Sequence, residues 1–210
     1  MAANYGDMQA RIDSELRRTD LVSGGYAANA IKDAIKVYER ERWYFNEATT
    51  SASLTTSAGL ATYSLPADFM KIDSLKVTIN GWKCDADPMP YLEMDARDSG
   101  NSATQGPPKW WAVYADLLRL YPVPDGTYVQ TLSYQKRLTT LSASTDTNAW
   151  VDDLEALIRQ KAKEIICREV LKDYNRADQL AMTIERVTYP KARAENDERL
   201  MSGRLTSHSL

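Results

Sequence analysis

Few residues in this chain are of a kind that does chemistry, and fewer stand at a spacing that would let them. The only histidine is His208, three residues from the end. A general base or a metal ligand must be held in a fixed geometry, and a terminal tail cannot supply one alone. Cys84 and Cys167 lie in unlike contexts. Two free thiols are the plainer reading, with a disulfide as the alternative. There is no CxxC, no HExxH, no GxGxxG after a strand and no phosphate-cradling glycine loop. Carboxylates are the remaining candidates. Asp85 and Asp87 flank a turn before Pro88, and Glu93 and Asp95 follow closely. Asp152, Asp153 and Glu155 stand at a helix start, where the dipole favours them. A glycan hydrolase needs two carboxylates at a set separation, one with a raised pKa. Turns, caps and solvated faces account for the same residues more simply. No catalytic residue, metal or cofactor is therefore expected.

The stretch with most character is aromatic, from Gly106 to Tyr134, and reads as three consecutive strands. Trp110–Tyr114 and Leu118–Tyr121 form a hairpin about Asp116, and Pro122-Val-Pro-Asp-Gly126 stops it. Tyr128, Gln130, Leu132 and Tyr134 then share one face of a third strand. Trp110 and Trp111 are neighbours, so in a strand they face opposite sides. At most one sits in this chain's own core unless both faces are covered. Three readings stand: a core Trp beside a solvent-face aromatic, an anchor for a subunit contact, or a base-stacking platform. The last lacks an accompanying Arg/Lys groove.

The elements that must position these residues follow hydrophobic spacing. Met8, Ile12 and Leu16 predict a short amphipathic helix, broken at Ser23-Gly24-Gly25. Ala27, Ile31, Ala34, Ile35 and Tyr38 predict a second from about Tyr26 to Trp43, giving a helical hairpin. Residues 47–59 are rich in Thr, Ser and Ala and fit a strand and an exposed turn. Ala61–Leu65 alternates up to Pro66. Leu75, Val77 and Ile79 mark a half-buried strand, and Asn80-Gly81 is a strong hairpin signal with Trp82–Cys84 returning. Met89–Asp98 reads as a helix begun by Pro90. After a polar loop at Ser142–Asn148, Asp152 is the expected N-cap, with Glu155 completing a box. Leu154, Ile158, Ala162 and Ile165 line the next helix, extended by Val170 and Leu171. Lys172–Arg176 is a turn, and Leu180, Ile184 and Val187 mark a further helix that Tyr189-Pro190 should end or kink. Lys191–Met201 is charged, either solvated or in need of a partner.

The expected fold is α+β. An N-terminal helical hairpin (1–46) and C-terminal helices (149–201) form one bundle, packed with a central, mainly antiparallel β region (47–148). Residues 202–210 are an expected flexible tail.

Composition narrows the function classes. Among 210 residues, Tyr (12) and Trp (5) far outnumber Phe (2), a bias towards amphipathic aromatics that suits contact surfaces. Net charge is −3, so general electrostatic attraction to nucleic acid is not expected. No apolar run approaches the ~18 residues of a membrane span, and the first residues have neither a basic nor an apolar signal region. Neither a membrane anchor nor a signal peptide is expected.

The order of motifs resembles the head-to-tail adaptor, or connector, proteins of tailed bacteriophages, of the type found in short-tailed phages. The matching elements are Ala61–Phe69, Gly106–Trp111, Leu118–Asp125, Leu132–Tyr134, Leu141-Ser142 and Thr145–Asn148, followed by a long amphipathic helix. The resemblance spans about Trp43 to Leu171. It implies a ring, usually of twelve copies, beneath the portal at the unique capsid vertex, with tail or nozzle proteins at the other end. Genomic double-stranded DNA would pass through the bore without specific binding, past a lining richer in Asp and Glu than in Lys and Arg. The protein would sit in the virion neck after assembly in the host cytoplasm. Carried over, Lys191–Leu210 would be the portal-docking arm, through Lys191, Arg193, Arg199, Leu200, Met201, Arg204, Leu205 and Leu210. The β region would supply subunit or tail contacts, through Trp82, Trp110, Trp111, Tyr121 and Tyr128. Two other readings remain beside this one: a virion-associated peptidoglycan-degrading hydrolase using Asp85, Asp87, Glu93 or Asp95, and a generic protein-binding module.

Overall fold

The computed structural model describes residues 4–50, 54–98 and 104–201, the side chain of Met201 excepted. The elements run α1 (Tyr5–Leu16), α2 (Tyr26–Tyr38), β1 (Glu47–Thr49), β2 (Leu54–Thr55), β3 (Thr62–Ser64), β4 (Phe69–Ile79) and β5 (Trp82–Pro88). Then come α3 (Tyr91–Asp98), β6 (Trp110–Tyr114), β7 (Leu117–Tyr121), β8 (Val129–Lys136), α4 (Ala149–Asp152), α5 (Glu155–Ile165), α6 (Tyr174–Thr183) and α7 (Tyr189–Met201). The fold is α+β. Its chain divides into two compact units: a helical one from residues 1–45 and 138–210, and a β one from 46–137.

In the helical unit, Asn4 begins α1 by accepting a hydrogen bond from the Asp7 amide, while the Asp7 carboxylate accepts from the Asn4 amide. Met8, Ile12 and Leu16 are fully buried at their four-residue spacing. Gly25 enters α2 with φ +72, a conformation that favours glycine. Ala27, Ile31, Ala34 and Tyr38 form the buried face of α2. This helix stops at Tyr38, short of the Trp43 that spacing suggests. The chain turns, and the Trp43 indole N–H donates to the Tyr38 carbonyl at 2.9 Å, satisfying a group the helix end leaves free. Trp43 and Trp150 then pack edge to face at 6.0 Å.

Asp152 does not cap the helix that follows it: α5 has Leu154 at its N-cap with no side-chain hydrogen bond, while Asn148 caps the short α4 by accepting from the Trp150 amide, and Asp152 lies inside α4 and accepts from the Thr147 hydroxyl. The loop at 142–148 belongs to the helical unit. The amides of Tyr5 and Gly6 donate to the carbonyls of Asp146 and Ser144, and Leu141 is buried in the helical core. The segment between α5 and α6 contains a π-type turn at Ile166–Val170, so the apolar face does not continue unbroken, and Val170 is exposed. A second π-type turn at Ile184–Thr188 precedes Pro190. Pro190 therefore does not end the helical path: α7 follows at once. Proline lacks an amide donor and crowds the preceding turn, and the wider π turn is where that mismatch falls. Val187, expected on the buried face, points outward.

The β unit is an eight-stranded sheet in the order β1-β8-β4-β5-β6-β7-β3, with β2 also on β8. Among the described strands, β5 and β6 alone pair in parallel, joined through α3. Asn80 (φ +52) and Gly81 (φ +84) make the tight β4–β5 turn. A bulge between Ile72 and Ser74 resets the alternation, letting Ile72, Leu75 and Val77 all face inward despite their odd spacing. Tyr63 of β3 and Leu118 and Leu120 of β7 share one core with Leu132 and Tyr134 of β8. Strands from both ends of the sheet meet in that core, so the sheet is curled. The hairpin β6–β7 forms as spacing suggests, but β8 leaves it after Pro122–Gly126 to pair with β4, β1 and β2. Asp85 and Asp87 lie on β5, a strand rather than a turn.

Candidate functional site

Trp110 and Trp111 turn to opposite faces of β6, and both faces are covered. Trp111 packs on the curled-sheet core, and its indole N–H donates to the Ala86 carbonyl at 3.0 Å. Trp110 packs into a small second cluster with Met89, Met94, Ala112 and Tyr121 beneath α3. Arg119 holds α3 to the sheet. Its guanidinium donates to Asp95 at 3.0 Å, Asp98 at 2.6 Å and the Tyr91 hydroxyl at 3.1 Å, and lies over the Tyr91 ring. Arg97 covers the Trp110 ring and pairs with Glu93. Both tryptophans are half-buried and Tyr121 is buried, so all three do structural work within the chain.

Trp82 differs. The Asn80-Gly81 turn projects it from the start of β5, opposite Ile79, with 78% of its surface exposed. Lys83, Cys84 and Asp85 beside it are exposed as well. β5 pairs with β6 only at Asp87 and Pro88, so residues 82–86 meet β4 on one side and carry no ladder on the other. An aromatic at an open strand edge is well placed to hold a partner. Tyr128 is half-buried where β2 meets β8. Its hydroxyl donates to Asp125, and its amide donates to the Thr56 hydroxyl oxygen. The Asp125 carboxylate raises the Tyr128 phenol above its ordinary range.

The expected docking arm divides at Met201. Up to that point it is α7, folded on the helical unit. Ala192 and Asn196 are buried, and the Asn196 side chain accepts the Tyr44 amide at 2.8 Å. Arg193 lies over the Trp43 ring and donates to the Arg42 carbonyl. Arg199 lies over the Tyr44 ring and pairs with Asp153. Burial, together with Asp153, pushes the Tyr44 phenol up to about 12. Lys191 is exposed and Leu200 half-buried. Arg204, Leu205, His208 and Leu210 lie outside the described residues, as does the Met201 side chain. Sequence reasoning missed Asn196, Tyr44 and Arg42 as the anchor of α7. A lone Asn in a charged run, a hundred and fifty residues from its partner, carries no local signal.

The candidate acids are used locally. Glu93 and Asp95 are ion-paired to Arg97 and Arg119, and Asp85 and Asp87 are exposed on β5. Among the described residues, no group of three or more His, Cys, Asp or Glu is placed to hold a metal ion. Both thiols are free, Cys84 exposed and Cys167 buried, and burial pushes the Cys167 thiol up. No helix among the described residues is long and apolar enough to cross a membrane.

Among the described residues, the arrangement offers exposed contact surface, at Trp82 above all. In comparison with known proteins, a family model described as SU10 adaptor protein matches residues 3–205. No curated protein matches the chain.

Proposed function

Because the chain belongs to the SU10 adaptor protein family, we propose that it is a structural head-to-tail adaptor of the phage neck. Copies close into a ring beneath the portal by a head-to-tail contact that repeats with rotation. The ring, of about twelve copies by resemblance to adaptors of this kind, receives tail components on its far side and continues the DNA channel. Its lining is mixed or acidic in net charge, which lets DNA slide because phosphates are not held. Residues beyond Met201 dock on the portal, with Lys191 and Leu200 of α7 beside them. Trp82 is the foremost contact of the β unit, and Trp110, Trp111, Tyr121 and Tyr128 shape the surface behind it.

The observation that supports this most directly is Trp82. A side chain that would bury some 150–250 Å² is instead presented to solvent on a tight turn. Among the described residues of its β unit, none makes a side-chain hydrogen bond or ring contact with it. The test is the mass of the complex formed with purified portal protein. A discrete multimer on the portal is expected, weakened at least tenfold by Trp82→Ala and lost when the chain ends at Met201. A chain that stays monomeric beside the portal would remove the proposal.

A further inference from the structure

The β unit carries two open backbone edges that are unlike each other. On β5 the Asp87 amide donates to the Lys109 carbonyl, on the side away from β4. Backbone groups alternate along a strand, so Lys83 and Asp85 turn theirs to that same side, where β5 has no ladder. Pro107 and Pro108, which precede β6, have no amide with which to extend it. At one end of the sheet, β3 pairs with β7 alone. The Ala61 carbonyl accepts from the Leu120 amide, so Tyr63 also turns its backbone to β7, and Thr62 and Ser64 turn theirs away. All four outward-turned residues are exposed. Among the described residues, no hydrogen bond reaches their outward backbone groups.

The side chains decide how two such edges fit. Trp82 stands opposite Ile79 and Cys84 opposite Val77, so both continue the core face of β5 that Ala86 begins. Lys83 and Asp85 lie on the other face. On β3, Tyr63 is buried in the core while Thr62 and Ser64 are polar and exposed. In an antiparallel pair, residues that turn their backbones to each other stand directly opposite and share a face. Ser64 then meets Lys83 and Thr62 meets Asp85, each pair exchanging both its bonds. On the apolar face Leu65 meets Trp82, Tyr63 meets Cys84 and Ala61 meets Ala86. A parallel pair shifts the register by one residue and sets Lys83 beside Tyr63, polar on apolar. The edge of β1 fits less well, because the same antiparallel register would put Glu47 against Asp85, and like charges directly opposite are unfavourable.

We infer that β3 of one copy adds to the open edge of β5 in the next copy, antiparallel, with Ser64 opposite Lys83. The inference rests on the ring reading and names the strands that close it. The two edges are different patches of one chain, as a head-to-tail contact requires. Two β5 edges could instead pair about a two-fold axis, Lys83 against Asp85, but that contact is used up between two copies and closes no larger ring.

The test places thiols at the facing positions. Lys83→Cys and Ser64→Cys are made separately in a Cys84→Ser background, since Cys84 is exposed and Cys167 is buried. The variants, alone and mixed in equal amounts, are assembled on purified portal protein beside the wild type. All are mildly oxidised and run on a denaturing gel without reductant, and the mass of each assembly is measured in parallel. The mixture should give a covalent dimer of this chain, while each variant alone and the wild type should not. A dimer from the wild type would place Cys84 against Cys84 across a two-fold axis and overturn the inference. So would a full assembly on the portal with no dimer in the mixture, which would leave the ring standing with its contact elsewhere. Failure of the wild type to assemble at all would overturn the ring reading and this inference with it.

Discussion

Ending the chain at Pro190 should unfold part of the helical unit, whereas ending it at Met201 should not. Four contacts of α7 decide this. Removing Asn196 leaves the half-buried Tyr44 amide without its acceptor, which costs about 1–3 kcal/mol. Arg193 over Trp43 and Arg199 over Tyr44 contribute about 0.5–1 kcal/mol each. Exposing the surface covered by the buried Ala192 adds about 0.8 kcal/mol. The sum is about 3–6 kcal/mol, a large part of the ~5–15 kcal/mol that holds a typical domain. Followed by helical circular dichroism in urea, with a slope of about 1–3 kcal/mol per molar, the midpoint should fall by about 2 M. The chain ending at Met201 should keep the full-length midpoint while losing portal binding. Asn196→Ala should show the hydrogen-bond part alone, a fall of about 1 M. An unchanged midpoint for the chain ending at Pro190 would refute the reasoning. It would mean that α7 is a docking element throughout and contributes nothing to the subunit's own fold.

Two further outcomes are expected. Gln130 is fully buried on the inward face of β8, and among the described residues neither of its amide atoms has a hydrogen-bond partner, so Gln130→Leu should raise stability by about 1–3 kcal/mol; a lower urea midpoint would show that the amide is needed. Burial pushes the Glu164 and Glu15 carboxyls up, but Lys161 and Arg168 beside the first and Lys163 and Arg159 beside the second outweigh it, so both lie below their ordinary value of 4.5. Their contribution is therefore present above pH 4.5 and lost as the pH falls through the depressed values. The stability gap between the wild type and Glu164→Gln should shrink as the pH falls below 4.5, and a gap that stays constant or widens on acidification would contradict the assignment.

What the sequence made legible was local. Met8, Ile12 and Leu16 bury one helix face because a four-residue step returns to the same side of the helix. Asn80-Gly81 turns because both residues tolerate positive φ. The two helical segments and the β region between them could be read from spacing and turn chemistry, and so could the α+β class. What failed depends on groups far apart in the chain. The end of α2 is set by an indole five residues on that folds back to a carbonyl. The π turns leave no mark in the composition. The departure of β8 from the β6–β7 hairpin is decided by which strands have free edges, and no dipeptide records that.

The same division explains the tryptophans. Sequence gives Trp110-Trp111 the stronger claim on an interface, since two adjacent aromatics in a strand face opposite sides and only one can enter a one-sided core. That argument assumes one face is bare. Here α3 covers the second face, pinned by Arg119 through Asp95 and Asp98, and the pair becomes internal. Trp82, a single aromatic after a turn, stays exposed because its hairpin extends past the point where β6 can pair with β5. A contact residue is thus defined by the absence of a neighbour, which is a property of topology.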